Sequence, residues 1–165
     1  MGVAYIEVNG TQMLSENSFR WSNYSDESTQ SAIQQALQPL IAELKLNPQQ
    51  VYLTARGQGA LHAANLLAKY PQLYAGALLI APHGGIKQAQ QSLAKNKRMV
   101  VAYYDRQKFS DQALAMHFAN LFSEDNQVEA LHFAQGENPD AGWQARFKRP
   151  LQWMLHQAPD ATPGA

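Results

Sequence analysis

The sequence predicts a three-layer α/β/α sandwich with about five mostly parallel strands. Three observations carry that expectation. Apolar runs alternate with helical periodicities along the whole chain; the runs are near-continuous, as in strands covered on both faces; and one of them passes through a glycine turn directly into an amphipathic helix. With 165 residues, 45% hydrophobic and 16% charged, the chain can bury one sizeable core. A single domain over residues 1–157 is therefore expected, followed by a frayed tail at 158–165, whose sequence APDATPGA offers little to bury.

The first strand is expected at Val3–Val8, VAYIEV. A polar stretch from Asn9 to Ser28, broken by Phe19 and Trp21, reads as a long connection. Ile33, Ala36, Leu37, Leu40, Ile41 and Leu44 then recur at helical spacing, which places a helix from about Asp26 to Leu46, capped by Ser25 or Asp26. Pro39 falls inside it and is expected to kink or split it, because its ring removes a donor and crowds the preceding turn. Next comes the segment VYLTARGQGALHAANLLAKYP, from Val51 to Pro71: a buried strand, a tight turn and a helix without any intervening loop. GALLIAP from Gly76 to Pro82 is the following strand, and a weaker helix runs through Ile86, Ala89 and Leu93. RMVVAYY, Arg98 to Tyr104, is a strand, and the helix after it, Asp111 to Phe122, aligns Leu114, Phe118, Leu121 and Phe122. The last strand is Val128–Phe133; a final helix is striped by Trp143, Phe147, Leu151 and Met154 and bent at Pro150.

Composition narrows the function classes. Thirteen basic residues balance thirteen acidic ones, so the chain lacks the long-range field that gathers nucleic acid or an anionic membrane surface. No cysteine is present, which removes disulfides, thiolate nucleophiles and cysteine-bound zinc together and leaves cytoplasm and periplasm both open. No basic n-region with a long apolar core occurs at the N-terminus, and no run approaches the length of a membrane span. A soluble protein is expected.

The turn at Ala55, Arg56, Gly57, Gln58 and Gly59 has the layout of a nucleophile elbow, G-x-S-x-G, with glycine where the serine belongs. Glycine has no side chain with which to attack. On VYLTARGQGALHAANLLAKYPQLYAGALLIAP the chain resembles the α/β-hydrolase superfamily and is similar to its bacterial carboxylesterases from Trp21 onward. It looks most like uncharacterised members that carry glycine at the elbow. The resemblance implies that Gly57 takes the nucleophile position, that the backbone N–H of Gln58 replaces one oxyanion donor, and that Asp105, after VVAYY, takes the acid position. It also implies a histidine after the last strand, where the loop reads AQGENPDAGW and offers Glu137 or Asn138. Because a serine triad needs hydroxyl, imidazole and carboxylate together, a catalytically degenerate esterase homologue is expected, with Arg56, Gly57, Gln58, His83 and Asp105 as ligand-binding candidates.

Other readings stand beside this one. Gly57 can simply relax a turn that demands positive φ, and Asp105 equally suits a cap or solvent. His62 and His83 both fall near the carboxyl ends of strands, but no third metal ligand is placed with them, so no metal and no cofactor are expected. Gly57-Gln58-Gly59 begins a dinucleotide fingerprint whose third glycine would be His62, and the acidic residue after the next strand is missing; a nucleotide site is not expected. Two alternatives remain: an active hydrolase with a non-standard nucleophile or a missing N-terminal part, and self-association into a homodimer through an uncovered N-terminal edge strand.

Overall fold

A computed structural model describes residues 12–16, 18–20, 26–82, 95–104, 109–123, 125–134 and 148–155. The central element is a four-stranded parallel sheet in the order β3 (Tyr52–Arg56), β4 (Gly76–Ile80), β5 (Arg98–Tyr104) and β6 (Gln127–Phe133). A small antiparallel pair, β1 (Gln12–Ser15) and β2 (Ser18–Arg20), precedes it, and the helices are α1 (Asp26–Leu44), α2 (Gln58–Lys69), α3 (Phe109–Ser123) and α4 (residues 148–155).

Alternation along the strands separates two packed faces. Ala77 and Leu79 of β4 and Met99 and Val101 of β5 join the buried face of α2, formed by Ala60, Ala63, Ala64, Leu66 and Leu67, together with Ala115 of α3. Leu78, Val100, Ala102 and Phe133 point the other way and pack against Met154, Leu151 and Trp153 of α4. Helices therefore cover both faces, and the three-layer α/β/α arrangement is that expected from the uninterrupted apolar runs. Every residue of β4 except Ile80 is buried, consistent with its interior place in the sheet.

The β4 strand begins at a glycine for a steric reason. A Cβ on Gly76 would lie 2.0 Å from the backbone oxygen of Arg98 and 3.3 Å from the Tyr52 ring, so only hydrogen fits between β4 and β5 there. On the next strand, Arg98 ties the layers together: its Nη1 donates to the Trp153 carbonyl at 2.7 Å, its Nε donates to Gln127 Oε1 at 3.2 Å, and the guanidinium sits 5.5 Å from the Trp153 ring centre.

Two sequence expectations are corrected. The polar stretch after Asn9 is not a plain connection, because it contains the β1–β2 pair, in register at Gln12 with Arg20 and Met13 with Phe19. Strands of four and three residues closed by so short a turn leave too little periodicity to read. Pro39 does not split α1, which runs through it from Asp26 to Leu44. Pro39 and Gln35, whose carbonyl loses its helical donor to the ring, are both exposed, so water can satisfy that oxygen. The side chains of Gln34 and Gln38 are hydrogen-bonded across the same turn at 3.1 Å. The expected strand at Val3–Val8, the weak helix through Ile86, Ala89 and Leu93, the start of the final helix at Trp143 and the tail at 158–165 lie outside the described residues.

Candidate functional site

The site begins where β3 stops. Arg56 is its last residue and Gln58 the first of α2, so one residue, Gly57, makes the whole turn from strand to helix. Its backbone sits at φ 61° and ψ −129°, in a region that L-residues with a Cβ enter only under strain. Its own amide stays in the sheet: Gly57 N–H donates to the Ile80 carbonyl at 2.8 Å, which continues the β3–β4 ladder one step beyond Arg56. The Gly57 carbonyl meanwhile accepts from Ala60 N–H at 3.1 Å and starts the helix. One residue thus ends the strand with its N–H and starts the helix with its carbonyl.

The neighbouring strand ends in a related way. Ala81 has φ 46°, the left-handed region, and its N–H donates to the Ala102 carbonyl at 2.7 Å. Arg56, Ile80, Ala102 and Leu131 are register partners across β3 to β6, so the turn at Gly57, the bend at Ala81 and the ends of β5 and β6 share the carboxyl edge of the sheet. That edge is where parallel α/β sheets present their ligand crevice. At its far side the Tyr103 and His132 rings stack with centroids 5.0 Å apart, and Gln112 Nε2 donates to the Tyr104 carbonyl at 3.2 Å.

Among the described residues no side chain caps α2, and its first turn carries no acidic residue. The leading N–H groups of such a helix have no intrahelical acceptor and lie at the positive end of its dipole. Donors in that position suit an oxygen bearing negative charge, as in an oxyanion hole. The corner therefore offers main-chain donors but no nucleophile, since residue 57 contributes no atoms beyond the backbone.

The structure places three of the sequence-predicted site residues together: Arg56, Gly57 and Gln58 are consecutive across the turn, with the Arg56 and Gln58 side chains exposed. His62 follows one turn later in α2 and is half-buried. His83, Asp105, Glu137 and Asn138 lie outside the described residues. Ala81 is the feature that sequence reasoning missed; nothing in LLIAP marks an alanine for positive φ, although the following Pro82 signals the end of the strand. Two groups with displaced pKa values lie at the opposite, amino edge. Burial pushes the Tyr74 phenol up to about 12, and burial lowers Lys97. Among the described residues no group of three or more His, Cys, Asp or Glu side chains is placed to hold a metal. No described helix is long and apolar enough to cross a membrane.

Comparison with solved structures gives the fold its class. The chain superposes on a carboxylesterase from Mesorhizobium loti with a TM-score of 0.61, covering 86% of this chain and 73% of that one at 15% identity. The Bacillus cereus carboxylesterase gives a TM-score of 0.58 at 16% identity, with the same coverage of 86% and 73%. A protein of unknown function from Agrobacterium tumefaciens str. C58 gives 0.63 at 15% identity over 90% of this chain and 76% of that chain. The chain shares its fold with these two carboxylesterases, as the elbow segment implied. No family model and no curated protein sequence matches the chain.

Proposed function

We propose that this protein is a catalytically degenerate esterase homologue that binds a small molecule in the crevice at the carboxyl edge of its sheet. The observation that carries the reading is the strand-to-helix corner, which has the sharp geometry of a hydrolase nucleophile turn at a residue without a side chain. In this reading Gly57 takes the nucleophile position, the Gln58 N–H is a retained oxyanion donor, Asp105 takes the acid position and Glu137 or Asn138 replaces the base. Binding groups remain while the hydroxyl and imidazole that acyl transfer requires are gone. Arg56 and His83 complete the candidate wall, and the ligand carries a carbonyl or carboxylate oxygen that the main-chain donors recognise.

The test is hydrolysis of a short-chain activated ester by the purified chain, run beside Gly57→Ser and Gly57→Ala, with thermal stabilisation by short-chain carboxylates measured in parallel. The unmutated chain is expected to match the uncatalysed rate. A carboxylate at one hundred times its dissociation constant is expected to stabilise the fold by about 2.7 kcal/mol. Turnover that survives every change at residue 57 would replace this reading with that of an active hydrolase using another nucleophile.

A further inference from the structure

The anchorage of α1 is inverted relative to an ordinary surface helix. Its apolar stripe is poorly covered: Ile33 packs against the core cluster, while Leu37, Leu40 and Ile41 are half-buried and Leu44 is 51% exposed. The residues it does bury, Thr29 at 4% and Gln30 at 6% exposure, are polar and lie in its first two turns. There the Tyr74 hydroxyl donates to Gln30 Oε1, and Lys69 at the end of α2 pairs with Glu27. The amide nitrogen of Gln30 is buried and has no hydrogen-bond partner among the described residues.

A buried donor without an acceptor costs the full desolvation of that group, and opening the contact to water recovers it. The closed position of α1 thus contains a penalty that lifting the helix removes, whereas the packed faces of α2, β4 and β5 contain none of that kind among the described residues. Elements with few buried apolar groups open locally, at a free energy below that of global unfolding. We infer that α1 is a separately opening unit, strained at its N-terminal end by the orphaned Gln30 donor and able to lift from α2 while the sheet stays folded. The elbow is not disturbed by this motion, because α1 is tied to the last turn of α2 and the turn beyond it, and Gly57 lies at the other end of that helix.

Native-state hydrogen exchange, resolved by segment in increasing urea, tests the inference on the unmutated chain. Amides of residues 30–44 are expected to exchange by an opening with a weaker urea dependence, and at least tenfold faster after correction for intrinsic rates, than those of residues 60–69, 77–80 and 99–102. The double variant Gln30→Leu with Tyr74→Phe removes the orphaned donor together with its partner's hydroxyl and is expected to slow α1 exchange by about tenfold, leaving the α2 and β4 amides unchanged. Exchange of α1 only through the same global opening as α2 would overturn the inference. So would a double variant in which α1 exchanges faster, since the polar contact would then be a net anchor.

Discussion

The conformation at residue 57 makes a prediction whose sign alone is decisive. At a site whose backbone an L-residue can adopt without strain, replacing glycine by alanine stabilises a protein by about 0.4–1 kcal/mol, because the unfolded chain loses freedom. At φ 61° and ψ −129° a Cβ is strained, and a non-glycine residue held there costs about 1–3 kcal/mol. Gly57→Ala is therefore expected to destabilise, and for a chain of 165 residues the fall in Tm is about 2–12 °C. Gly57→Ser should lose a similar amount and add a hydroxyl at the corner. Without an imidazole to take its proton that hydroxyl remains a weak nucleophile, so ester hydrolysis by Gly57→Ser should stay near background. Urea unfolding and calorimetry measure the first quantity, and release of a chromogenic alcohol the second. An alanine variant more stable than the parent would refute the reasoning, since residue 57 would then lie in ordinary backbone and not in a strained turn.

Gly76→Ala should destabilise by about 3 kcal/mol or more, visible as an earlier urea midpoint, because the added carbon would sit 2.0 Å from the Arg98 oxygen and backbone on a central strand cannot move aside cheaply. Arg98→Met should cost about 1–3 kcal/mol and alter near-ultraviolet dichroism from Trp153, since it removes the bond to the Trp153 carbonyl and the guanidinium beside its ring. Stability should also fall as pH rises from about 10 toward 12: Tyr74 keeps its proton in the fold up to about pH 12, whereas the unfolded chain releases it near 10, so the contribution is complete below 10 and lost through that window. Tyr74→Phe should remove that part of the alkaline slope, and an unchanged slope in urea titrations between pH 9 and 12 would contradict it.

Much of the sheet was legible because its physics is local. GALLI is apolar at every position, as a strand covered on both faces must be, and the shift from YLTAR to a helical spacing of alanine and leucine across one glycine marks the corner without reference to any partner. α1 starts at Asp26 as expected but ends two residues early, and α3 starts two residues early and ends one residue late, since helix ends follow capping and not periodicity. Pro39 does not split the helix, because the consequence of a proline depends on which side of the helix faces water, a tertiary fact. The β1–β2 pair was hidden in polar sequence, and its apolar pairing of Met13 with Phe19 appears only once the register is known. Of the candidate site, the consecutive residues Arg56, Gly57 and Gln58 could be read from one segment. The positive φ of Ala81 arises from how β4 leaves the sheet beside β5, which no residue type at that position announces.

The amide of Gly57 bonded to Ile80 has a consequence for protein engineering. Main-chain hydrogen bonds on both sides hold this junction, so a group grafted onto the α-carbon would be held at the corner against the strain that any Cβ meets there. A cysteine, a selenocysteine or a chemically installed reactive handle introduced there would inherit a ready-made placement beside the helix start. Its chemistry could then be varied against a constant scaffold.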